Sequence, residues 1–350
     1  MTADLTGNRI QGWRFDLLDA QGVYLRALDA VADSGKLDWA VSSTPMASGT
    51  VDVADAEDYA HHRVRVWYQC AGQEDQAVFT GLIKTPDISI RGERAGQTLD
   101  LYDLTQALEE DTFGYPYGID AGVFVADKVT AIIQSTLPSA QLIGDTSAML
   151  ATPILWEANT SKLKMVNDLL AAANCMPLTT DGMGFFLIAP YVAPVSRAVI
   201  WAFTDGAGSV FVDEWTRARD VSGVPNRWIC VGAVPEAGGV PEIGISSDST
   251  GTPFSFDVVG RWITQVETDV PSTGGLAAQA ARKLAEAQHV TESFTISHPW
   301  LPNLRLNQAV TFAHSTYQFQ PVKCTISGMS VTCDVKSLYT TILERAGYGI

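Results

Sequence analysis

The chain has 350 residues, 46% hydrophobic and 18% charged, which suffices for two or three cored domains and argues against wholesale disorder. Its 39 acidic and 23 basic residues leave a net charge of −16, which speaks against a protein that grips nucleic acid through clustered Lys and Arg. The start "MTADLTGNRIQGWRFDLLD" lacks the basic and apolar blocks of a signal peptide, and no apolar run approaches the ~18 residues of a membrane helix.

Residues 1–115 read as six or seven strands at the spacing of a sandwich or barrel. Trp13, Phe15 and Leu17 alternate with polar neighbours, Asp19 to Gly22 supplies a turn, and Val23 and Leu25 resume the alternation. "KLDWAV" places Leu37, Trp39 and Val41 on one face, and "SGTVDV" follows as a short strand. "RVRVWY" sets Val64, Val66 and Tyr68 opposite Arg63, Arg65 and Trp67, and "AVFTGLIKTPDISI" and "QTLDLYDL" complete the set.

Residues 116–195 change period. Val125, Val129, Ile132 and Ile133 recur at helical spacing before Pro138, and Leu163, Val166, Leu169, Leu170 and Ala173 mark a second helix with Thr160 or Ser161 as N-cap. "TTDGMGFFLIAPY" then reads as a hairpin in which Asp181-Gly182 forms a type I′ turn, both residues at positive φ. On that reading Gly182→Val costs on the order of 1 kcal/mol or more.

Residues 196–350 return to strands: "AVIWAFT", "PNRWICVGA", "SFDVVGRWITQVET", "ESFTISH", "QAVTFA", "PVKCTISGMSVTC" and "LYTTILER". One helix, at about 275–289, carries Leu276, Ala280, Leu284 and Ala287 as a buried stripe. The expected architecture is therefore β-rich α+β, with two β-barrel- or sandwich-like domains (1–115 and 196–350) flanking a small α+β domain of two helices and a hairpin (116–195).

Five cysteines stand at 70, 175, 230, 324 and 333, with no CxxC; free, mostly buried thiols in a reducing compartment are expected. Cys324 and Cys333, nine apart along one apparent strand, would lie roughly 30 Å from each other, too far to bridge.

The search for chemistry finds no constellation. GxSxG and HExxH are absent, and "GISSDSTG" (Gly244 to Gly251) reads as a surface loop. His61 and His62, adjacent at the start of a strand, point to opposite faces. Asp52, Asp55, Glu57 and Asp58 lack EF-hand spacing and read as a solvated turn. "DSGK" (Asp33 to Lys36) and "DGAG" (Asp205 to Gly208) lack the glycines of a phosphate loop. Glu109, Glu110 and Asp111 are the candidates a glycosidase would need, but a contiguous acidic trio reads as an exposed loop. Of the nine tryptophans, Trp13, Trp39 and Trp262 sit in strand patterns and are assigned to the core. No catalytic residue, cofactor or metal is expected.

Several blocks resemble one family in the same order along the chain. "GKLDWAV…SGTVDV" (Gly35 to Val53) with "HRVRVWY", "WEANTSKLKMVNDLLAAANCMPL" (Trp156 to Leu178), "DGMGFFLIAPYVAPVSR" (Asp181 to Arg197), "VPNRWICVG" (Val224 to Gly232) and "GRWITQVE" (Gly260 to Glu267) are similar to minor tail proteins of tailed phages infecting actinobacteria. That family resembles in turn the tail-tip or baseplate hubs of phages and contractile injection machines. The resemblance implies a structural protein of the virion tail tip, made in the host cytoplasm, most akin to the siphophage type. It implies a homotrimer whose two barrels per chain make a six-barrel ring under the tail tube, with the α+β part outside or below. Implied partners are the distal tail protein, other tip or baseplate proteins and the tape measure protein, with DNA passing unbound. Many hubs carry a C-terminal wall-cleaving or receptor-binding module; here "LYTTILERAGYGI" follows the last strand, so no hydrolase is expected in this chain. Two rival readings remain: a tail protein that binds host saccharide through exposed tryptophans, and a cell-wall glycoside hydrolase using Glu109, Glu110 or Asp111.

Overall fold

The computed structural model describes residues 10–55, 57–91, 94–151, 153–206, 208–219, 223–232, 239–270, 276–288, 292–301, 303–315 and 319–345. The chain forms two compact units, residues 1–214 with 296–343 and residues 215–295 with 344–350.

The first unit begins with seven strands: β1 (Gln11–Leu18), β2 (Tyr24–Ala27), β3 (Lys36–Ala40), β4 (Ala47–Val53), β5 (Arg63–Cys70), β6 (Gln76–Arg91) and β7 (Arg94–Asp103). They pair antiparallel in the order β3-β4-β7-β6-β5-β1-β2. The period-2 alternation decides what is buried. Leu37, Val51, Val64, Val66, Leu99 and Leu101 all turn inward, each contributing about 1.5–3 kcal/mol by leaving water. Two details differ from the sequence reading. Val23 and Leu25 are exposed, at and just before β2, the edge strand of this order, and Arg63 is buried although it lies on the strand face opposite Val64, Val66 and Tyr68.

Next come α1 (Thr105–Glu110), β8 (Tyr117–Ile119), α2 (Val125–Thr136), β9 (Leu142–Ile143), β10 (Ile154–Trp156), α3 (Lys162–Ala172), β11 (Thr179–Thr180) and β12 (Phe186–Leu187). Helix α2 buries Val125, Val129, Ile132 and Ile133 and ends before Pro138, whose preceding residue disfavours the helical region. In α3 the Ser161 hydroxyl accepts from the Lys164 amide (3.2 Å) as N-cap, while Leu163, Val166, Leu169 and Leu170 pack inward with Phe186 and Ile188 of the hairpin. The acidic trio is no loop, for Glu109 and Glu110 close α1 and Asp111 is its C-cap.

The hairpin exists, but its turn is not type I′. Residues Asp181 to Phe185 form a five-residue loop closed by the Asp181 amide on Phe185 O (2.9 Å) and the Gly184 amide on Asp181 O (2.9 Å). Positive φ falls on Gly184 (84°) and not on Asp181 or Gly182. The Asp181 carboxylate stabilises the loop by accepting from the amides of Met183 and Phe185, both at 2.9 Å. Gly182 is needed for a different reason. A Cβ there would collide with the Ala77 carbonyl, 2.5 Å from its carbon and 2.9 Å from Val78 N, because the loop tip lies against β6.

The remaining elements are β13 (Val199–Thr204), β14 (Trp215–Arg219), β15 (Arg227–Gly232), β16 (Ile243–Ser247), α4 (Phe256–Val259), β17 (Thr264–Val270), α5 (Leu276–Ala287), β18 (Glu292–His298), β19 (Ala309–His314), β20 (Phe319–Thr332) and β21 (Tyr339–Arg345). In the first unit β13 runs parallel to β19, β19 antiparallel to β20, and β20 antiparallel to β3, from Gly328↔Ala40 to Thr332↔Lys36. The two ends of the chain therefore share one sheet. The second unit holds a three-stranded sheet in the order β16-β15-β17 with α5 on one face. Leu276 and Ala280 of α5 bury Cys230, and Gly244 permits the approach, since a Cβ there would strike the backbone of Leu276. "SFDVVG" is not strand but the one-turn helix α4, ended by Gly260 at φ 74°, and "GISS" is strand β16 rather than loop. All five cysteines are free.

Candidate functional site

The residues a hydrolase would need are held by structural bonds. The Ser161 hydroxyl donates to Glu109 (2.9 Å), Lys84 pairs with Glu110 (2.6 Å), and Gln106 Nε2 donates to Glu110 (2.8 Å). Lys84 and Gln106 hold the Glu110 carboxyl below its ordinary range. Asp111 accepts from Lys162 Nζ (2.6 Å) and Thr136 Oγ1 (2.6 Å). These groups tie α1 and its C-cap to the end of α2, the start of α3 and β6.

A concavity of about 490 Å³ in the first unit has Trp39, Met46, Asp103, Asp181, Arg197 and Trp300 among its walls. Its two carboxylates are consumed by the fold. Asp103 accepts from the Ala47 amide (3.0 Å) and from the amide (2.8 Å) and hydroxyl of Thr105, and Asp181 holds the hairpin loop. Burial raises the Asp103 carboxyl above its ordinary range, against the pull of those donors.

The other candidates resolve as turns and packing. His61 sits at φ 69° in the turn before β5, and not in the strand. Thr98 donates to Asp52 (2.6 Å), the Tyr59 hydroxyl to Asp55 (2.6 Å), and Arg26 to Glu57 (2.5 Å); among the described residues no three His, Cys, Asp or Glu side chains are grouped to hold a metal. Trp13 and Trp39 lie 6.4 and 6.3 Å from the Tyr339 ring, and Trp300 stacks on Tyr68 at 4.8 Å. Trp262 precedes β17 rather than lying in it, half-buried against Phe256 with Arg227 over its ring at 3.8 Å.

The second unit presents an exposed aliphatic face. Across β16-β15-β17 the register sets Ile229 opposite Ile245 and Val266, and Val231 opposite Ile243. Because side chains alternate, these five share the face away from α5. Ile243, Ile245 and Val266 are 53%, 56% and 51% exposed, and no described element covers them. Exposed aliphatic side chains gathered in this way are the kind of surface through which proteins associate. The sequence signal was the alternation Ile243-Gly244-Ile245, obscured by the Ser and Asp that follow. In the first unit, β2 pairs only with β1 and β13 only with β19 among the described strands, so each offers an open backbone edge beside exposed Tyr24 and Leu25 or Val199 and Ile200.

No protein-family model matches the sequence, and no curated protein matches it significantly. Solved structures share the fold. The tail protein from Neisseria meningitidis MC58 superposes with TM-score 0.61 at 13% identity, over 97% of this chain and 98% of that one. The 43 kDa tail protein of prophage MuSo2 from Shewanella oneidensis gives 0.60 at 11%, over 95% and 98%. A chain of the Francisella PdpA-VgrG complex gives 0.56 at 9%, over 99% of this chain and 55% of that one. The β-rich fold is thus that of phage tail proteins, over nearly the whole length. The described helices include none long and apolar enough to cross a membrane.

Proposed function

We propose that this chain is a structural hub of a phage tail tip, of the siphophage type, three copies of which close a ring that continues the tail tube. The observation that supports the reading most is the extent of the shared fold, 97% of this chain against 98% of a tail protein. On this reading the segments 1–115 and 196–350 supply two barrel-like bodies per copy, and 116–195 the α+β part outside or below them. A closed ring of three needs two different surfaces on every copy. The open edges of β2 and β13 and the aliphatic face of β16-β15-β17 supply surfaces of that kind. We assign the aliphatic face to the contact with the neighbouring copy.

The partners are then the distal tail protein, further tip or baseplate proteins and the tape measure protein, with DNA passing through the ring on ejection. A net charge of −16 suits a wall that phosphates slide past. Sedimentation tests the contact. The purified chain is expected to run as a trimer, and Ile243→Asp with Ile245→Asp as a folded monomer, because a carboxylate at an interface centre is buried without a partner. A double variant that still forms the wild-type assembly rules this face out of the ring contact.

A further inference from the structure

Arg63, the first residue of β5, is only 7% exposed, yet among the described residues its guanidinium makes no hydrogen bond and no ion pair. Its Nε is sealed from solvent without an acceptor, and Nη1 lies beneath the β1–β2 turn, 3.6 Å from where a Cβ on Gly22 would stand. Beside it is a cavity of about 280 Å³ whose walls include Arg63, His61, His62, Lys84, Gln106 and one carboxylate, Glu110.

The carboxylates nearby are committed elsewhere. Asp19 acts on Arg63 only through space, its Oδ1 accepting from the amides of Gln21 (2.9 Å) and Val23 (2.8 Å). Glu110 is taken by Lys84 and Gln106. In a chain of net charge −16, this is a buried cation with no carboxylate bonded to it among the described residues. Burial lowers its pKa, Arg65 lowers it further, and Asp19 opposes the shift only in part. Water can accept from those guanidinium nitrogens that it reaches but cannot neutralise the charge. A group with two oxygens does both, since the planar fork of a guanidinium matches a carboxylate or phosphate.

We propose that this cavity binds a small oxyanion, a phosphate or carboxylate group, on the guanidinium of Arg63, with Lys84 and the two histidines at its mouth. The site stands apart from the ring reading, as it uses none of the assembly surfaces.

Calorimetric titration of the full chain with inorganic phosphate, and separately with acetate, at constant ionic strength tests it. At least one anion is expected to bind saturably, about tenfold or more weakly in Arg63→Met, and several-fold more weakly in Lys84→Gln, since charged hydrogen bonds carry such factors. Lys36→Gln, remote from the cavity and exposed, leaves binding unchanged. A preference for phosphate identifies a phosphate-bearing ligand, and equal or better binding of acetate identifies a carboxylate. The proposal is overturned if neither anion binds, or if Arg63→Met binds as the wild type does. Should Arg63→Met not fold, Lys84→Gln decides, because its side chain is half in solvent; unaltered affinity there overturns the proposal equally.

Discussion

Gly182→Val is expected to lower stability by about 3 kcal/mol, more than a turn glycine alone accounts for. The added side chain would drive into the Ala77 carbonyl, 2.5 Å from its carbon, and neither backbone can yield while both are held. The loop tip is fixed there by Thr80 Oγ1 donating to Gly182 O (2.7 Å) and Arg65 Nη2 donating to Met183 O (3.2 Å), so relieving the clash breaks both bonds. Gly72→Ala separates the two causes. That residue has φ 80° with nothing within 4 Å of its Cβ position, so only the left-handed conformation is penalised, at about 1 kcal/mol. Chemical denaturation of both variants measures the difference. Equal losses would show that turn conformation, and not close approach to β6, governs the site.

Asp111→Ala is the second large effect, again about 3 kcal/mol. Lys162 is buried, and its ammonium is met by Asp111 at 2.6 Å, Ser135 Oγ at 2.9 Å and Thr136 Oγ1 at 3.2 Å. Two hydroxyls remain in the variant but the counter-charge is gone. Adding Lys162→Met should restore much of the loss, since the pair is then replaced by apolar contact over Phe113, whose ring lies 4.7 Å from Nζ. The pH dependence has a defined sign. Burial works to raise the Asp111 carboxyl, but the bonds from Lys162 and Thr136 outweigh it and hold it below its ordinary range. A depressed carboxylate contributes above its unfolded value and stops contributing as pH falls through the folded one. The gap between wild type and Asp111→Ala should therefore close in acid, below the ordinary carboxylate range. If the residue instead served hydrolysis, the variant would keep its stability and lose wall-degrading activity.

Long periodic segments were legible because their burial is decided locally. Helix α2 shows Val125, Val129, Ile132 and Ile133 on one stripe, and β4 shows strict alternation; both patterns follow from backbone geometry alone. Elements of two or three residues, such as β9 and β12, are too short to display a period and form only because Phe186↔Leu142 and Leu187↔Ile143 happen to meet. The pairing of β20 with β3 depends on residues some 290 positions apart, which no window in the sequence senses. "SFDVVG" was misread because Phe, Val and Val favour strands, while the αL stop at Gly260 ends a turn of helix instead. Gly182 was singled out for the right residue and the wrong cause. The clash partner, Ala77, lies on a strand more than a hundred residues earlier. The Arg63 cavity was missed for the same reason, as its walls come from segments far apart in the chain, whereas the aliphatic face was obscured by the Ser and Asp that follow Ile243-Gly244-Ile245.

Image reconstruction of the tail tip, with this chain labelled, tests the central claim most directly. The account predicts three copies around the tail axis, enclosing a channel in line with the tube. A single copy set to one side of the axis, or three that leave no continuous passage at any stage of ejection, would contradict it.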